Sequence, residues 1–545
     1  MNYLLEKIKI ELNKFFLDYE LEINLDFKIT KFEKYDLQIN NLVQFNSRSD
    51  FETICKKVKE ILESYTIFKK IEITDNGFIN LSFDTEELFK SIKNTRDEFK
   101  TLNPEKIVID YGGPNIGKPL HVGHIRTLNI GRSIYNLQSF ISNDIKSDIH
   151  LGDWGMPVAQ IITYIDENNL EINELTSDDY QIIYPKASTE YKLNEEFKNK
   201  AQSINKLLNE NDEIVINKWK IIKNTSLEKL KKDLEVFNHD FDFWLGESDV
   251  NNMIPDMIKD LTSKKLVTKD DGALVSSETT DPKILITKSD GSYLYITTDL
   301  ATVIYRKKHI PYDKALYVVD KRQSLHFQQL FSCINYFNLT DSVHEHIAYG
   351  TLNDSKGNPF KTREGDSKPL LELFEEIKSY IYEFNNTLSD TTLNKLTNSV
   401  LTYSDLLTNR KTDYKFDLEK FASNSGKTGI YVQYSQVRAK KLLEKFKFSE
   451  KRDFRPLKES EKNLMRIMSV FGIFLEQSIK TSEPHHLANY LYDISNSFNI
   501  FYEDEKFSDL NSPASLNTKL YLTELFLTTI SNTMYCLGIE PVDEM

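Results

Sequence analysis

The chain has 545 residues, enough for about three domains of ordinary size, and its 40% apolar and 28% charged content is a globular balance that excludes a disordered chain. A net charge of −14 does not exclude a nucleic-acid partner, because phosphate contacts need only a local basic face on an acidic body. Three distant cysteines, Cys55, Cys333 and Cys536, exclude a disulfide framework and any CxxC zinc site, and they suit a reducing compartment.

The first residues carry apolar side chains at 4/5, 8, 12 and 15/16, the period of an amphipathic helix broken by charges, which differs from a signal peptide. Segment 51–65 is also helical in period. Lys69–Phe83 reads as two strands around a turn at Asp75-Asn76-Gly77. Together these predict a small α+β unit over 1–98.

Lys106–Tyr111 reads as a short buried strand, followed by a Gly- and Pro-rich loop, a helix from His121 to Ile141 and a second strand over Ile145–Leu151. This strand-loop-helix-strand unit opens a parallel α/β domain over 99–370, with a helical insertion near 190–240. From 371 to 545 the pattern is almost wholly helical. The most apolar stretch, 463–479, is interrupted by Arg466 and Glu476, so no membrane span is predicted and a cytoplasmic location is expected.

The loop after the first strand, Tyr111 to His124, contains two overlapping motifs. Gly112 and Gly117-Lys118 satisfy the GxxxxGK of phosphate-cradling hydrolases, but Pro119 stands where a magnesium-binding hydroxyl belongs. The second motif is His121-Val122-Gly123-His124 at a helix start. Two histidines three apart share one face, Gly123 leaves room for a base or ribose, and the helix N-terminus offers N–H groups to phosphate. Imidazole donors at the carboxyl end of a first parallel strand can stabilise charge growing on a phosphate oxygen. An isolated HxxH is more often structural. Zinc would need further ligands that no nearby Cys or HExxH pattern supplies, so no metal ligands are assigned.

The motif's neighbours sharpen the reading. The run Asp110–Thr127 (DYGGPNIGKPLHVGHIRT), followed by His150–Gly155 (HLGDWG), resembles the signature region of the arginyl-tRNA synthetases, of the class I aminoacyl-tRNA synthetases. The likeness continues through Leu294–Ala301, Tyr317–Phe331, Pro359–Gly365, Phe416–Ala439 and the ending Gly538–Met545, and it includes the segment around Gly77–Asn80. It covers nearly the whole chain in order.

The resemblance implies a Rossmann-type parallel-sheet catalytic domain, an N-terminal α+β domain that touches tRNA, and a helical anticodon-binding domain. It implies an ATP- and Mg2+-dependent ligase that activates L-arginine to arginyl-adenylate and passes it to the 3′-terminal ribose of tRNA(Arg), working as a monomer with no membrane partner. It assigns His121, Gly123, His124 and Lys118, with Lys361 and Arg363 of the Lys361–Gly365 loop, to ATP, and it counts His121, His124, Lys118 and Lys361 as catalytic. It assigns Asp110, Asn115, His150, Tyr295, Asp299 and Gln323 to arginine, with Asp153 in the same crevice. A guanidinium is planar with five donors, so its site should offer carboxylates and a flat partner, and Tyr295 and Asp299 at i,i+4 would share a helix face. Gly113 departs from the family's usual Ser before Pro-Asn.

On the tRNA side, Tyr431–Lys447 mixes aromatics with a basic run, a composition that suits unstacked bases. The resemblance places Tyr434, Arg438, Tyr502 and Met545 at the anticodon loop. His485-His486 reads as packing or capping. The rival readings are another class I synthetase, a P-loop hydrolase and a non-catalytic RNA-binding relative. The first is opposed by the polar set Tyr295, Asp299 and Gln323 and by the lack of room for an editing insertion.

Overall fold

The computed structural model describes residues 2–21, 23, 25–30, 34–101, 103–277, 283–289, 291–358, 368–451, 453–510 and 512–545. The chain opens with α1 (Asn2–Asp18), whose Leu5, Ile8, Leu12 and Phe16 recur at helical spacing and are all buried. Strands β1 (Phe27–Ile29) and β2 (Leu37–Ile39), helix α2 (Phe51–Glu63), strands β3 (Phe68–Ile73) and β4 (Ile79–Phe83) and helix α3 (Thr85–Ser91) complete an α+β unit. Its antiparallel sheet runs β1-β2-β4-β3. The predicted β3–β4 hairpin is present. Gly77 in its turn sits at φ +89°, and a Cβ there would lie 2.9 Å from the Phe51 ring, so both backbone and space require glycine.

The middle of the chain is a parallel α/β layer. β5 (Lys106–Tyr111) leads through α4 (Ile125–Phe140) to β6 (Asp144–Asp148) and α5 (Met156–Glu167). A helical insertion, α6 (Ser177–Leu193), α7 (Glu195–Asn209) and α8 (Glu213–Val236), begins earlier than the position near 190 expected from sequence. Then come α9 (Glu247–Asn251), α10 (Ile254–Ser263), a small antiparallel sheet of β7 (Val267–Asp270), β8 (Ala273–Ser276) and β9 (Leu285–Thr287), and α11 (Tyr295–His309). β10 (Lys314–Val318), α12 (Ser324–Tyr336) and β11 (Val343–His346) close the layer.

The sheet order is β11-β10-β5-β6, every neighbour parallel. Chain order reverses direction between β5 and β10, so the crevice at their carboxyl ends is where an open α/β sheet takes ligands. Ile107, Val108 and Ile109 of β5 are all buried, as a strand covered on both faces demands.

β12 (Leu352–Asn353) pairs in parallel with β13 (Tyr414–Lys415), a short exception to the all-helical expectation after 371. The rest is helical: α13 (Leu370–Phe384), α14 (Asp390–Leu406), α15 (Leu418–Phe421), α16 (Gly429–Lys445), α17 (Glu459–Ser469), α18 (Phe471–Thr481), α19 (His485–Asp504) and α20 (Pro513–Leu537). One apolar core runs from the N-terminal unit past α4 and β5 into these helices. A second lies under α10 to α12, and a third beneath the insertion. Among the described residues, no helix is long and apolar enough to cross a membrane.

Candidate active site

His121 and His124 stand where the β5 loop enters α4. The predicted helix from His121 opens with one tighter turn, Val122–His124, before α4 proper. The His121 N–H donates to Nδ1 of His124, and the Gly123 N–H donates to Nδ1 of His121, both at 3.1 Å. With both Nδ1 atoms accepting, the proton of each neutral ring sits on Nε2. Burial lowers the His121 pKa, helped by Lys118, and burial with the charge of its neighbour His121 pushes His124 down to about 3. Near neutral pH the pair is therefore two uncharged N–H donors at a helix start, suited to phosphate or ribose oxygens. A Cβ at Gly123 would lie 2.7 Å from Cε1 of His121, so a side chain there would displace that ring. The Lys118 ammonium lies 4.3 Å from the centre of the Tyr184 ring, on α6. Lys361 and Arg363 lie outside the described residues.

Of the predicted arginine ligands, Asp110, Asn115 and His150 lie at or just beyond the carboxyl ends of β5 and β6, Tyr295 and Asp299 at the start of α11, and Gln323 just before α12. Asp110 is the penultimate residue of β5, but one of its oxygens is held by a guanidinium of the protein itself. Arg306 on α11, fully buried, reaches Oδ2 of Asp110 and Oδ2 of Asp148 at 2.6 Å each. His150 follows at a left-handed φ of 34°, with Nδ1 3.6 Å from Asp148. Burial opposes the charge on Asp148, yet Arg306 and His150 overcome it and hold Asp148 below the ordinary carboxylate range. Burial likewise disfavours charge on His150, but the nearby carboxylates of Asp148 and Asp110 raise it to about 9. Burial pushes Asp110 up against the pull of Arg306.

Tyr295 and Asp299 occupy the first turns of α11, one helical turn apart as predicted. Tyr295 is 74% exposed, and Oδ2 of Asp299 accepts from Nε2 of His326 at 2.6 Å. Gln323, at the start of α12, is exposed, as is Asn115, whose backbone bridges to Gly152. Asp153 is taken up structurally: it accepts from the N–H and hydroxyl of Ser248 and pairs with Lys223 at 2.6 Å.

Four residues in this crevice escaped sequence reading: Asp148, Glu247, Arg306 and His326. Glu247, at the start of α9, feels His150, Asp153 and Asp299, and its charge reaches Tyr295. Burial raises it to about 7, against the pull of His150 and with the neighbouring carboxylates adding to the rise. Arg306 and His150 offset Asp110 and Asp148. Among the described residues, that leaves Glu247 and Asp299, the latter held by His326, as carboxylates of the crevice that no lysine or arginine pairs with.

In the helical part, Arg438 lies between two aromatic rings, 4.5 Å from Tyr434 and 4.3 Å from Tyr502, and donates to Oη of Tyr434 and to Asn499. Tyr434 and Met545 line a cavity of about 640 Å3 with Tyr380, Phe384 and Asn424. The four predicted anticodon residues thus share one neighbourhood. The pair His485-His486 has a companion after all: Glu483 Oε2 lies 3.5 Å from His486 and 3.9 Å from His485. Lys411 beside Glu483 and the α19 N-terminus both oppose a cation there, so the cluster reads as corner packing.

Residues 2–83 match the arginyl tRNA synthetase N terminal domain, residues 87–418 the catalytic domain of class I (R) tRNA synthetases, and residues 432–545 the DALR anticodon binding domain. The arginine–tRNA ligase of Francisella tularensis subsp. tularensis (strain SCHU S4 / Schu 4) is 33% identical over 527 residues, 90% of each chain. That of Agathobacter rectalis is 34% identical over 543 residues, again 90% of each. The arginyl-tRNA synthetase structure from Plasmodium falciparum superposes with a TM-score of 0.82 over 99% of both chains, at 23% identity. The structure from Thermus thermophilus gives 0.83 over 99% of this chain and 100% of its own, at 18% identity, and both speak to the fold. By sequence match across its three parts, and with a sheet whose first loop ends in HVGH, the chain belongs to the arginyl-tRNA synthetases of class I.

Proposed function

We infer that this chain is an arginine–tRNA ligase. The carboxylate of L-arginine attacks the α-phosphate of ATP, forming arginyl-adenylate and releasing pyrophosphate. The 2′-hydroxyl of the tRNA(Arg) 3′-terminal ribose then takes the arginyl group and releases AMP. The work of the protein is positioning and charge stabilisation.

The observation that carries this reading is the acidic group of Asp299 and Glu247 with Tyr295, each within the field of the next, together with the two neutral imidazole donors that HVGH sets at the start of α4. A cation fits the first half and a phosphate the second. In this reading His121, Gly123, His124 and Lys118 hold ATP, joined by Lys361 and Arg363. Mg2+ accompanies ATP and neutralises phosphate charge. Tyr295, Asp299 and Glu247 receive the guanidinium, with His150 and Asp110 behind them. Asn115 and Gln323 face the α-amino and carboxylate ends of arginine. Gly113 provides no hydroxyl there, so that contact falls to backbone or water.

Tyr434, Arg438, Tyr502 and Met545 bind the anticodon loop, the rings and the guanidinium stacking on splayed bases. The parts divide at 1–98, 99–370 and 371–545, and the enzyme works as a cytoplasmic monomer. The P-loop alternative is disfavoured by Pro119, which has no hydroxyl for a metal.

ATP–pyrophosphate exchange with each of the twenty amino acids, with and without total tRNA, tests the reading. Exchange with arginine alone, rising when tRNA is added, supports it. Exchange with another amino acid keeps the class and overturns the assignment of Tyr295 and Asp299. No exchange in folded protein overturns the synthetase reading.

A further inference from the structure

Selecting a guanidinium over other cations is a problem of orientation. An ammonium is a point charge that any nearby carboxylate satisfies, whereas a guanidinium bonds best to a carboxylate held in its own plane. An aspartate on the first turns of a helix, partly open to solvent, is free to turn about its side-chain bonds unless something fixes it. On α11 that something comes from the next helix. Nε2 of His326 donates to Oδ2 of Asp299 at 2.6 Å, and both side chains are only about a quarter to a third exposed, at 26% and 30%. The His326 ring is itself held, edge-on to Phe327 at 5.4 Å, and Phe327 stacks on His346, whose Nε2 donates to the Val319 carbonyl at 3.0 Å. A carboxylate has room for about four donors, so one bond from His326 still leaves Oδ1 able to accept. His326 also follows Gln323, the residue just before α12, by three positions, so one helix start carries both groups.

We infer that His326 is a positioning residue for amino-acid selection. Its imidazole fixes the plane of the Asp299 carboxylate, so that the free oxygen is presented to a guanidinium and the site prefers arginine to lysine. This rests on reading Asp299 as a ligand of the substrate guanidinium.

The test is steady-state aminoacylation by the full chain at saturating tRNA, with arginine varied at saturating ATP and ATP varied at saturating arginine, comparing His326→Ala, His326→Gln and Asp299→Asn, with lysine as a competing amino acid. His326→Ala is expected to raise the KM for arginine about tenfold, to leave the KM for ATP within about twofold, and to weaken discrimination against lysine. His326→Gln, whose amide nitrogen reaches the same oxygen, is expected to restore the arginine KM to within about threefold of the parent. An unchanged arginine KM in His326→Ala overturns the inference. So does a parallel rise of both KM values with a lowered melting temperature in both His326 variants, which marks a merely structural residue. Asp299→Asn separates the two levels. If it leaves the arginine KM unchanged, the reading of Asp299 falls and takes this inference with it. If it raises that KM while His326→Ala does not, only the role of His326 falls.

Discussion

Glu247 is a residue of the crevice whose charge is poised to change near neutral pH. Its carboxyl is raised to about 7 by burial, which outweighs the pull of His150, with Asp153 and Asp299 adding to the rise. The sign follows directly. Below that value the group is neutral and attracts no cation, and above it the group is charged and does. Arginine affinity should therefore improve as pH rises through about 7, several-fold between roughly pH 6 and pH 8, with release of a proton on binding. In Glu247→Gln the arginine KM should be higher at pH 8 and nearly flat over the same range. A Glu247→Gln profile that still tracks the parent's would assign the titration to another group. For folding the sign is opposite: a carboxyl raised above its unfolded value stabilises at low pH and loses that contribution as pH rises through about 7, so Glu247→Gln should not destabilise at pH 8. In sequence, Glu247 sits in Leu245-Gly246-Glu247-Ser248-Asp249, which looks like an ordinary helix start. His121 and His124 were legible because they act on one another within a single turn. Glu247 and Arg306 were not, because the fold brings them to the β5 and β6 ends from far along the chain, Arg306 from 196 residues beyond Asp110.

At the scale of elements, the descent from β5 into α4 depends on glycines that act at different points. Gly131 lies inside α4 against Tyr111 of β5. A Cβ there would sit 2.7 Å from the Tyr111 Cβ and nearer still to its ring, and Tyr111 is only 1% exposed with no space to retreat. Gly131→Ala should cost about 1–3 kcal/mol by overpacking, read as a lowered midpoint in urea with an unchanged slope. A midpoint within error of the parent would mean that α4 slides along the sheet at no cost. Gly123 is exposed instead, and its added Cβ would press on the His121 ring that accepts its N–H. Gly123→Ala should hardly change stability but should raise the KM for ATP about tenfold by turning that ring, an effect of about 1.4 kcal/mol. Equal losses in stability and in ATP binding would show that the first turn of the helix, and not the ring, had been disturbed. The strand, loop and helix were legible in the sequence because their signals are local: an apolar run, a Gly-Pro loop, a 3.6-residue period. The sheet order β11-β10-β5-β6 was not, because the pairing of β5 with β10 joins segments some two hundred residues apart.

The whole molecule is tied together by buried and half-buried polar bonds between parts that look separable in sequence. Lys9 of α1 reaches Glu476 of α18 at 2.7 Å, and Asn94 donates to the Met468 carbonyl. The strongest tie starts two residues after the second histidine of HVGH. Arg126, 1% exposed, donates through Nε to Asp405 of α14 at 2.9 Å and through Nη1 to the carbonyls of Gly350 and Thr412, while Asn129 donates to the other Asp405 oxygen at 3.2 Å. Nothing near Arg126 in sequence announces this, since its partner lies 279 residues away. Removing one member strands the other. Asp405→Asn leaves a buried guanidinium without its counter-charge and should cost about 3–5 kcal/mol. The double change Arg126→Met with Asp405→Leu removes both charges but orphans the carbonyls of Gly350 and Thr412, each worth about 1–3 kcal/mol, so it should fall between the parent and Asp405→Asn without reaching the parent. Because one apolar core spans the N-terminal unit, α4 and the helical part, these losses should appear as a downward shift of one cooperative transition, followed by fluorescence and circular dichroism together. If Asp405→Asn instead splits the melt into two steps, with the helical part unfolding first, then the Arg126 bond and not the shared core is what makes the domains fold as one.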